Sequence, residues 1–414
     1  MTLIRPLKGL RPAKKHATDV VAPPYDVLNT AEARIRADGH PSSFLHISKP
    51  EIDLPEGTDP FDDQVYQKGA RNLMRLIKDG ILFQDDQPCY YAYRLIMGKH
   101  EQTGLVAVAN VADYDTNRIR KHEFTRPEKE NDRVRQIDAL DTQTGPVFLT
   151  YRHQSEIDDI IRAVTEDTPE YDLTADDGVR HSLWVIRDST RIAGLTRLFD
   201  DMNCLYIADG HHRSAAASRV AAMRKQSNPG HSGDESYNYF LSVIFPDNQM
   251  NILDYNRVVR DLNGLESEEF IRSVAESFDI SESDKPVKPS GAGQFGMYMQ
   301  GIWYSLDIHA DKVPADDPVA RLDVSLLANN LIAPVLGIDD PRRDKRIDFV
   351  GGIRGLKELE KRVDSGEMAV AFSMYPTSLS DLMAVADTNE VMPPKSTWFE
   401  PKLADGLISH RLDE

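Results

Sequence analysis

Five residues set between an apolar stretch and an alanine-rich one, Asp209, Gly210, His211, His212 and Arg213, concentrate groups able to hold an oxyanion. In LYIADGHHRSAAA a strand is expected to end near Asp209 and a helix to run on to about Gln226. The first amides of a helix lack internal acceptors and carry the positive end of its dipole, so a phosphate can sit against them. Gly210 lets the backbone come close. His211 and His212 would add side-chain donors, and Arg213 can grip phosphate oxygens in a fork. The structural alternative is that Asp209 merely caps the helix and the histidines are surface groups or satisfied core donors.

A second cluster is RKHEFTRPEKENDR, residues 120–133. Glu123 beside His122 is the type of carboxylate that accepts a hydroxyl proton, while Lys129 and Arg133 would neutralise phosphate. Glu128, Lys129 and Glu130 equally read as a solvated helix start. Thr125 and Glu128 have capping-box spacing, and Pro127 suits a first helical turn. In APPYDV, two prolines fix an extended approach that presents Tyr25 and Asp26, with Asp26 either a substrate ligand or a turn cap. Lys395, Ser396 and Thr397 offer an ammonium and two hydroxyls, but no glycine-rich loop precedes them, so this is no Walker site. Gly351 and Gly352 precede a helix without the third spaced glycine of a dinucleotide fingerprint.

These groups need a scaffold larger than one core. The chain has 414 residues, 40% of them hydrophobic, and single cores stop growing near ~250 residues, so at least two lobes are expected. A formal charge of -18 argues against a nucleic-acid coat or a binder of anionic membranes, although local basic clusters can still hold phosphate. Cys89 and Cys204 are too few for a disulfide framework and suit a reducing compartment, so a cytoplasmic location is expected. The opening MTLIRPLKGLRPAKK does not read as a secretory signal, and no apolar run approaches the ~18 residues of a membrane span.

Along the chain, the first ~60 residues read as proline-punctuated loops and 61–79 as a helix stopped by Gly80. CYYAYRLIM and GLVAVANVADY flank GKHEQ as an antiparallel hairpin, and SLWVIRD, CLYIADG and YNYFLSVIFP read as further strands of a mixed α/β sheet. Residues 260–320 read as a peripheral insertion or subdomain, 322–338 as an apolar helix, and the segments after it as alternating strands and helices. The tail from Met392 is too aromatic and apolar for a disordered end. The expected domains are an N-terminal lobe at 1–88, a core at 89–260 carrying the DGHHR turn, and a C-terminal α/β lobe at 261–414.

APPYDV, RKHEFT with a later DR, DGHHR with alanines, and the terminal MPPKST with F-x-P-K together resemble a bacterial and archaeal family known as domain of unknown function ten-fifteen. More distantly, a His-Glu loop followed by Asp-Gly-His-His-Arg leading a helix, over about residues 105–225, resembles the ParB/sulfiredoxin superfamily and its free-serine kinases. That resemblance implies a ParB/sulfiredoxin-like central core with flanking lobes. It implies ATP or ADP with Mg2+ as cofactors, Asp209 to Arg213 as the phosphate turn, and Glu123 as the base that takes the serine hydroxyl proton. A substrate carboxylate would then need a cation among Arg120, Lys121, Arg133 and Lys395. The expected partner is a small molecule, with neither nucleic acid nor membrane, and no resident metal site is expected. The alternatives are a metal-dependent phosphoester hydrolase using Asp209, His211, His212 and His122, and a non-enzymatic nucleotide-binding regulatory module.

Overall fold

Nine runs rich in alanine, β-branched and aromatic residues pair into one mixed sheet: β1 (Ile4–Arg5), β2 (Tyr90–Met97), β3 (His100–Asn110), β4 (Ile119–Arg120), β5 (Val147–Tyr151), β6 (Tyr171–Thr174), β7 (Arg180–Ile186), β8 (Leu205–Asp209) and β9 (Tyr239–Pro246). Their order in the computed structural model, which describes residues 2–412, is β4-β8-β5-β9-β3-β2-β7-β6, with β1 added on β3. The expected hairpin is β2 and β3, closed by a turn of only Gly98 and Lys99 with Gly98 left-handed at φ 60°. Two parallel pairings, β8 on β4 and β9 on β5, sit among antiparallel ones.

Helices α1 (Asp63–Lys78), α2 (Pro127–Leu140), α3 (Ser155–Thr165), α4 (Ser189–Asp200) and α5 (His211–Ser227) accompany this sheet. Small side chains on α5, Ala215, Ala216, Ala217 and Ala221, join Val134 and Ile137 of α2 and Val147, Leu149 and Ile207 of the strands in one core. Alanine both favours the helix and lets it approach the sheet closely.

The first 60 residues are more regular than their prolines suggest. Thr30–Ala37 is a helix with a capping box between Asn29 and Glu32, and Val20, Phe44, Leu45 and Ile47 build a second core with Leu73 and Leu76 of α1 and Leu140 of α2. At α2 the expected box does not form: Arg126 is the N-cap without a side-chain bond, and the Thr125 hydroxyl goes to Glu130 instead of holding the helix start with Glu128. Pro127 does take the first turn.

The chain divides into two units, one running to Met250 and resuming at Pro401, the other comprising Asn251–Glu400. The N-terminal segments thus share a unit with the large sheet. The second unit holds an antiparallel sheet of β10 (Tyr255–Val259), β11 (Phe278–Ser283), β12 (Gln294–Met299), β13 (Ile302–Ile308), β14 (Ile347–Gly351) and β15 (Val370–Ser373), ordered β11-β13-β12-β15-β10-β14. Of the two readings of residues 260–320, the subdomain is the one that fits and the peripheral insertion is not, because they supply three of this sheet's six strands. The apolar 322–338 segment is α-helical only over Asp323–Leu327 and continues as a π-helical stretch, Ala328–Ile332. Among the described residues no helix is long and apolar enough to cross a membrane.

One buried ion pair ties the N-terminus to the sheet edge. Arg11, 2% exposed, donates to both oxygens of Asp85 at 2.7 and 2.9 Å and to the Tyr171 hydroxyl at 2.7 Å. Burial opposes ionisation of Asp85, but the bonds from Arg11 and Tyr91 outweigh it and keep the carboxyl below its ordinary range. Asp85→Ala would leave the guanidinium only the partly exposed Glu170 carboxylate, at 3.1 Å, as counter-charge, so a loss of about 2–4 kcal/mol in unfolding free energy is expected from urea titration at neutral pH. A loss below about 1 kcal/mol would show that water reaches Arg11.

Candidate functional site

The site begins where β8 breaks its register. Ile207 pairs with Leu149 and Asp209 with Phe148, so Ala208 is the extra residue of a bulge that re-aims Asp209. Gly210 follows at φ 96° and ψ 27°, a left-handed conformation that strains any side chain, and a Cβ there would lie 3.3 Å from the Val147 Cα. Arg213 and Ser214 N–H both donate to the Gly210 carbonyl, at 2.9 and 3.1 Å. The amides of His211 and His212 precede these first intrahelical bonds and point out of the helix end.

The loop before α2 clasps this turn. The His122 N–H donates to His211 Nε2 at 3.4 Å and the Arg126 N–H to His212 Nε2 at 3.1 Å. A ring nitrogen that accepts carries no proton, so both imidazoles are neutral with the proton on Nδ1. Nδ1 of His211 faces Glu123 Oε2 at 3.9 Å, while the His122 and His211 rings meet edge to face at 4.5 Å. Burial, reinforced by neighbouring His122, holds His211 well below its ordinary pKa, and burial takes His122 down to about 4 against a bond with the Ile207 backbone. His212 is lowered by burial and by the Arg126 charge. The expected pair of imidazole donors is thereby revised: each Nε2 is an acceptor for the loop, which leaves only the Nδ1 hydrogens to donate. His122 Nδ1 is buried with no hydrogen-bond partner.

Cations and acids surround the turn. Asp209 accepts from Gly210 N–H at 2.8 Å and from Lys402 Nζ at 3.1 Å. Burial opposes its charge, but Lys402 and Arg213 prevail and keep the carboxyl strongly ionised. Arg213 is not an open fork, since one Nη bonds the Pro146 carbonyl and the other Asp26 Oδ2 at 3.2 Å, and its Nε is buried without a partner. Arg133 donates to Asp132 at 2.7 Å and lays its guanidinium 3.9 Å from the centre of the Tyr25 ring. Burial raises the Tyr25 phenol against the lowering effect of Arg133. Asp405, 2% exposed, exchanges backbone bonds with Ala22 on the APPYD segment. With Ser48, Gln136, Thr144, Arg133 and Arg213 it lines a cavity of about 30 Å³, room for a water or two.

The first unit thus brings together Tyr25, Asp26, His122, Glu123, Arg133, Asp209, Gly210, His211, His212 and Arg213. Lys129 is exposed on the first turn of α2, close enough for its charge to depress His212. Lys395 and Ser396 belong to the second unit, where the Lys395 carbonyl accepts from Arg257 and the Ser396 hydroxyl donates to the Pro393 carbonyl at 2.6 Å. At the Gly351–Gly352 turn the Asp254 carboxylate packs against Gly352, filling the space an anion would need. Lys402 and Asp405 were not foreseen as site residues. The F-x-P-K phrase contains Lys402, but nothing local says that a lysine 193 positions away meets Asp209.

The ligands that a transition-metal hydrolase would use are otherwise engaged, His211 and His212 by backbone amides and Asp209 by Lys402. Among the described residues no group of three or more His, Cys, Asp or Glu side chains is placed to hold a metal. What the geometry offers instead is a helix end with two outward amides, a ring of charge-paired cations, and an exposed carboxylate, Glu123 at 48%, 3.9 Å from a neutral imidazole.

A family model described as "Protein of unknown function (DUF1015)" matches residues 4–325. The chain belongs to the DUF1015 family. No curated protein matches it in sequence. Solved structures similar to it include a free serine kinase in complex with AMP, at 11% identity and TM-score 0.36, covering 73% of this chain and 92% of that one. A conserved hypothetical protein from Pyrococcus furiosus aligns at 14% identity and TM-score 0.36, over 73% and 94% of the two chains. SbnI with a C-terminal truncation, from Staphylococcus aureus, aligns at 11% identity and TM-score 0.39, over 73% and 86%.

Burial pushes the Asp405 carboxyl up to about 7, with Arg213 opposing and Asp26 adding to the rise. An unfolded aspartate titrates near ~3.9, so ionising Asp405 removes stability as pH climbs from about 4 to about 7 and costs nothing further above. Asp405→Asn is expected to be spared that loss. The stability of the variant relative to wild type, measured by urea unfolding, should therefore rise between pH 5 and pH 8. Parallel profiles would mean that Asp405 stays ionised across the window.

Proposed function

We propose that this protein transfers a phosphoryl group from a nucleotide to the hydroxyl of a small molecule, with free L-serine as the acceptor and O-phosphoserine as the product. The observation that carries this reading is the approach of the Glu123 carboxylate to 3.9 Å from His211 on the same turn that opens α5 with two outward amides.

In this reading the amides of His211 and His212 and the positive end of α5 take the nucleotide phosphates, with Lys402 and Arg213 adding charge from either side. Phosphoryl transfer asks mainly for positioning and charge stabilisation, which suits groups fixed by bonds to one another before any ligand arrives. Glu123 accepts the acceptor's hydroxyl proton as that oxygen bonds to phosphorus and the nucleotide oxygen leaves. The neutral His211, 3.9 Å from the carboxylate, leaves it ionised and brings it no imidazolium charge. Mg2+ would come bound to the nucleotide phosphates and neutralise their charge, while Asp209, kept ionised by Lys402 and Arg213, holds the Lys402 ammonium at the helix end. Tyr25, Asp26, Arg133 and Lys129 are the substrate- and phosphate-side groups of the same reading.

The test is to incubate the protein with L-serine, Mg2+ and either ATP or ADP and follow O-phosphoserine by phosphorus NMR. Glu123→Gln should lower kcat by about 10²–10⁴ while leaving nucleotide affinity within a few-fold, because the base acts on the acceptor and not on the phosphates. Turnover with another hydroxyl compound but none with serine would reassign the acceptor. A Glu123→Gln enzyme of full activity would remove the carboxylate from the chemistry.

A further inference from the structure

Arg257 lies on β10, the strand between β14 and β15, and is 5% exposed. Arg11, the other arginine buried to this degree among the described residues, is matched by Asp85. Arg257 has no such match: one Nη bonds the Tyr255 carbonyl and the other the Lys395 carbonyl at 3.1 Å. The buried acids at neighbouring strand ends are committed elsewhere, Asp254 to Asn256 at 2.6 Å and Glu400 to the Trp398 indole at 2.7 Å. A buried cation bonded only to neutral carbonyls keeps its full desolvation cost and lacks the counter-charge that would offset it. Burial accordingly pulls the guanidinium down to about 10, with only Tyr255 acting the other way.

The residue whose carbonyl Arg257 holds brings a second positive charge. Lys395 sits at φ 60°, a left-handed conformation that a lysine adopts only under constraint, and its ammonium lies 5.5 Å from the centre of the Tyr255 ring. The constraint is visible: Thr377 donates to the Ser396 carbonyl at 2.9 Å and Ser396 to the Pro393 carbonyl, so the PPKS segment is pinned on both sides. Tyr255 meets Trp398 edge to face at 5.2 Å, and Trp398 lies so tightly over Gly351 that a Cβ there would come within 2.8 Å of the ring. Phe349 covers the guanidinium at 5.3 Å. The two cations thus flank one aromatic cluster, Arg257 over Phe349 and Lys395 over Tyr255, whose rings meet edge to face at 6.1 Å, and among the described residues no carboxylate pairs with either; a guanidinium has five donors, of which the two carbonyls take two.

We propose that Arg257 and Lys395 form an oxyanion-binding site of the second unit, which takes the phosphate or carboxylate group of a small molecule. The proposal stands apart from the phosphoryl-transfer reading, since it rests on the second unit alone. Lys395 is exposed and provides the entry, and Arg257 provides the buried charge that the ligand completes.

Calorimetric titration of the full chain with inorganic phosphate, and separately with acetate, against chloride at matched ionic strength tests it. Saturable binding of one of the two anions is expected, weakened at least tenfold in Lys395→Ala and in Arg257→Met. Phosphate as the tighter arm identifies a phosphorylated ligand, acetate a carboxylate one. Arg257→Met also frees two buried carbonyls and risks misfolding, so Lys395→Ala, a change at an exposed side chain, decides alone if the methionine variant loses its circular dichroism. Anion binding that is equal in wild type and Lys395→Ala places the anion elsewhere and overturns the proposal, as does binding no stronger than that of chloride.

Discussion

Two backbone N–H groups donating to two imidazoles hold the first unit's candidate site together. His122 and Arg126 lie on one loop, His211 and His212 on the first turn of a helix, and these two bonds join the loop to the turn itself, where the β4–β8 pairing and the Arg219–Glu130 contact join their flanks. The bonds also choose the chemistry. A ring that accepts at Nε2 must keep its proton on Nδ1, so the pair stays neutral through the physiological range and the cluster adds no positive charge that would pin Glu123 in a tight ion pair. Burial acts in the same sense, and the two effects make His211 a weak donor facing an exposed carboxylate.

Charge around this clasp is set by neighbours rather than by the chain's net value of -18. Asp209 and Asp405 are both crowded by Arg213, yet their carboxyls move in opposite directions. Asp209 has the Lys402 ammonium at 3.1 Å in addition, which outweighs burial, whereas Asp405 is sealed against Ala22 with Asp26 as a like charge and is pushed up to about 7. Both Lys402 and Asp405 arrive on the segment that rejoins the first unit at Pro401. The turn is therefore completed by residues nearly two hundred positions downstream.

That distance explains what could be read beforehand. The strand, the glycine turn and the helix after it were legible in residues 205–217 because each follows from local rules: apolar run, absence of a side chain, alanine propensity. The β2–β3 hairpin and α1 were legible for the same reason. Asn29 and Glu32 carried an equally local capping signature, which the surrounding prolines obscured, while Thr125 and Glu128 carried the same spacing without forming the bonds, since Glu130 took the threonine hydroxyl. The three strands between 278 and 308 were hidden by polar residues that an antiparallel sheet tolerates on its outer face, as in the alternating burial of Phe278–Ser283. Lys402, Asp405 and the Arg257 pairings were beyond reach, because each is decided by long-range packing.

Arg213 shows why such packing matters for function. A lone arginine at a helix start would have to order a flexible side chain when an anion arrives, at a cost in rotamer entropy of the order of 1–2 kcal/mol. Here that cost is met in advance by the Pro146 carbonyl on one side and Asp26 on the other. The Asp26 contact is partly exposed, so an incoming oxyanion competes with a solvated carboxylate and not with a buried one. The APPYD segment thus has a physical reason to lie beside the turn: it orients the guanidinium without sequestering it, because its carboxylate stays in contact with water.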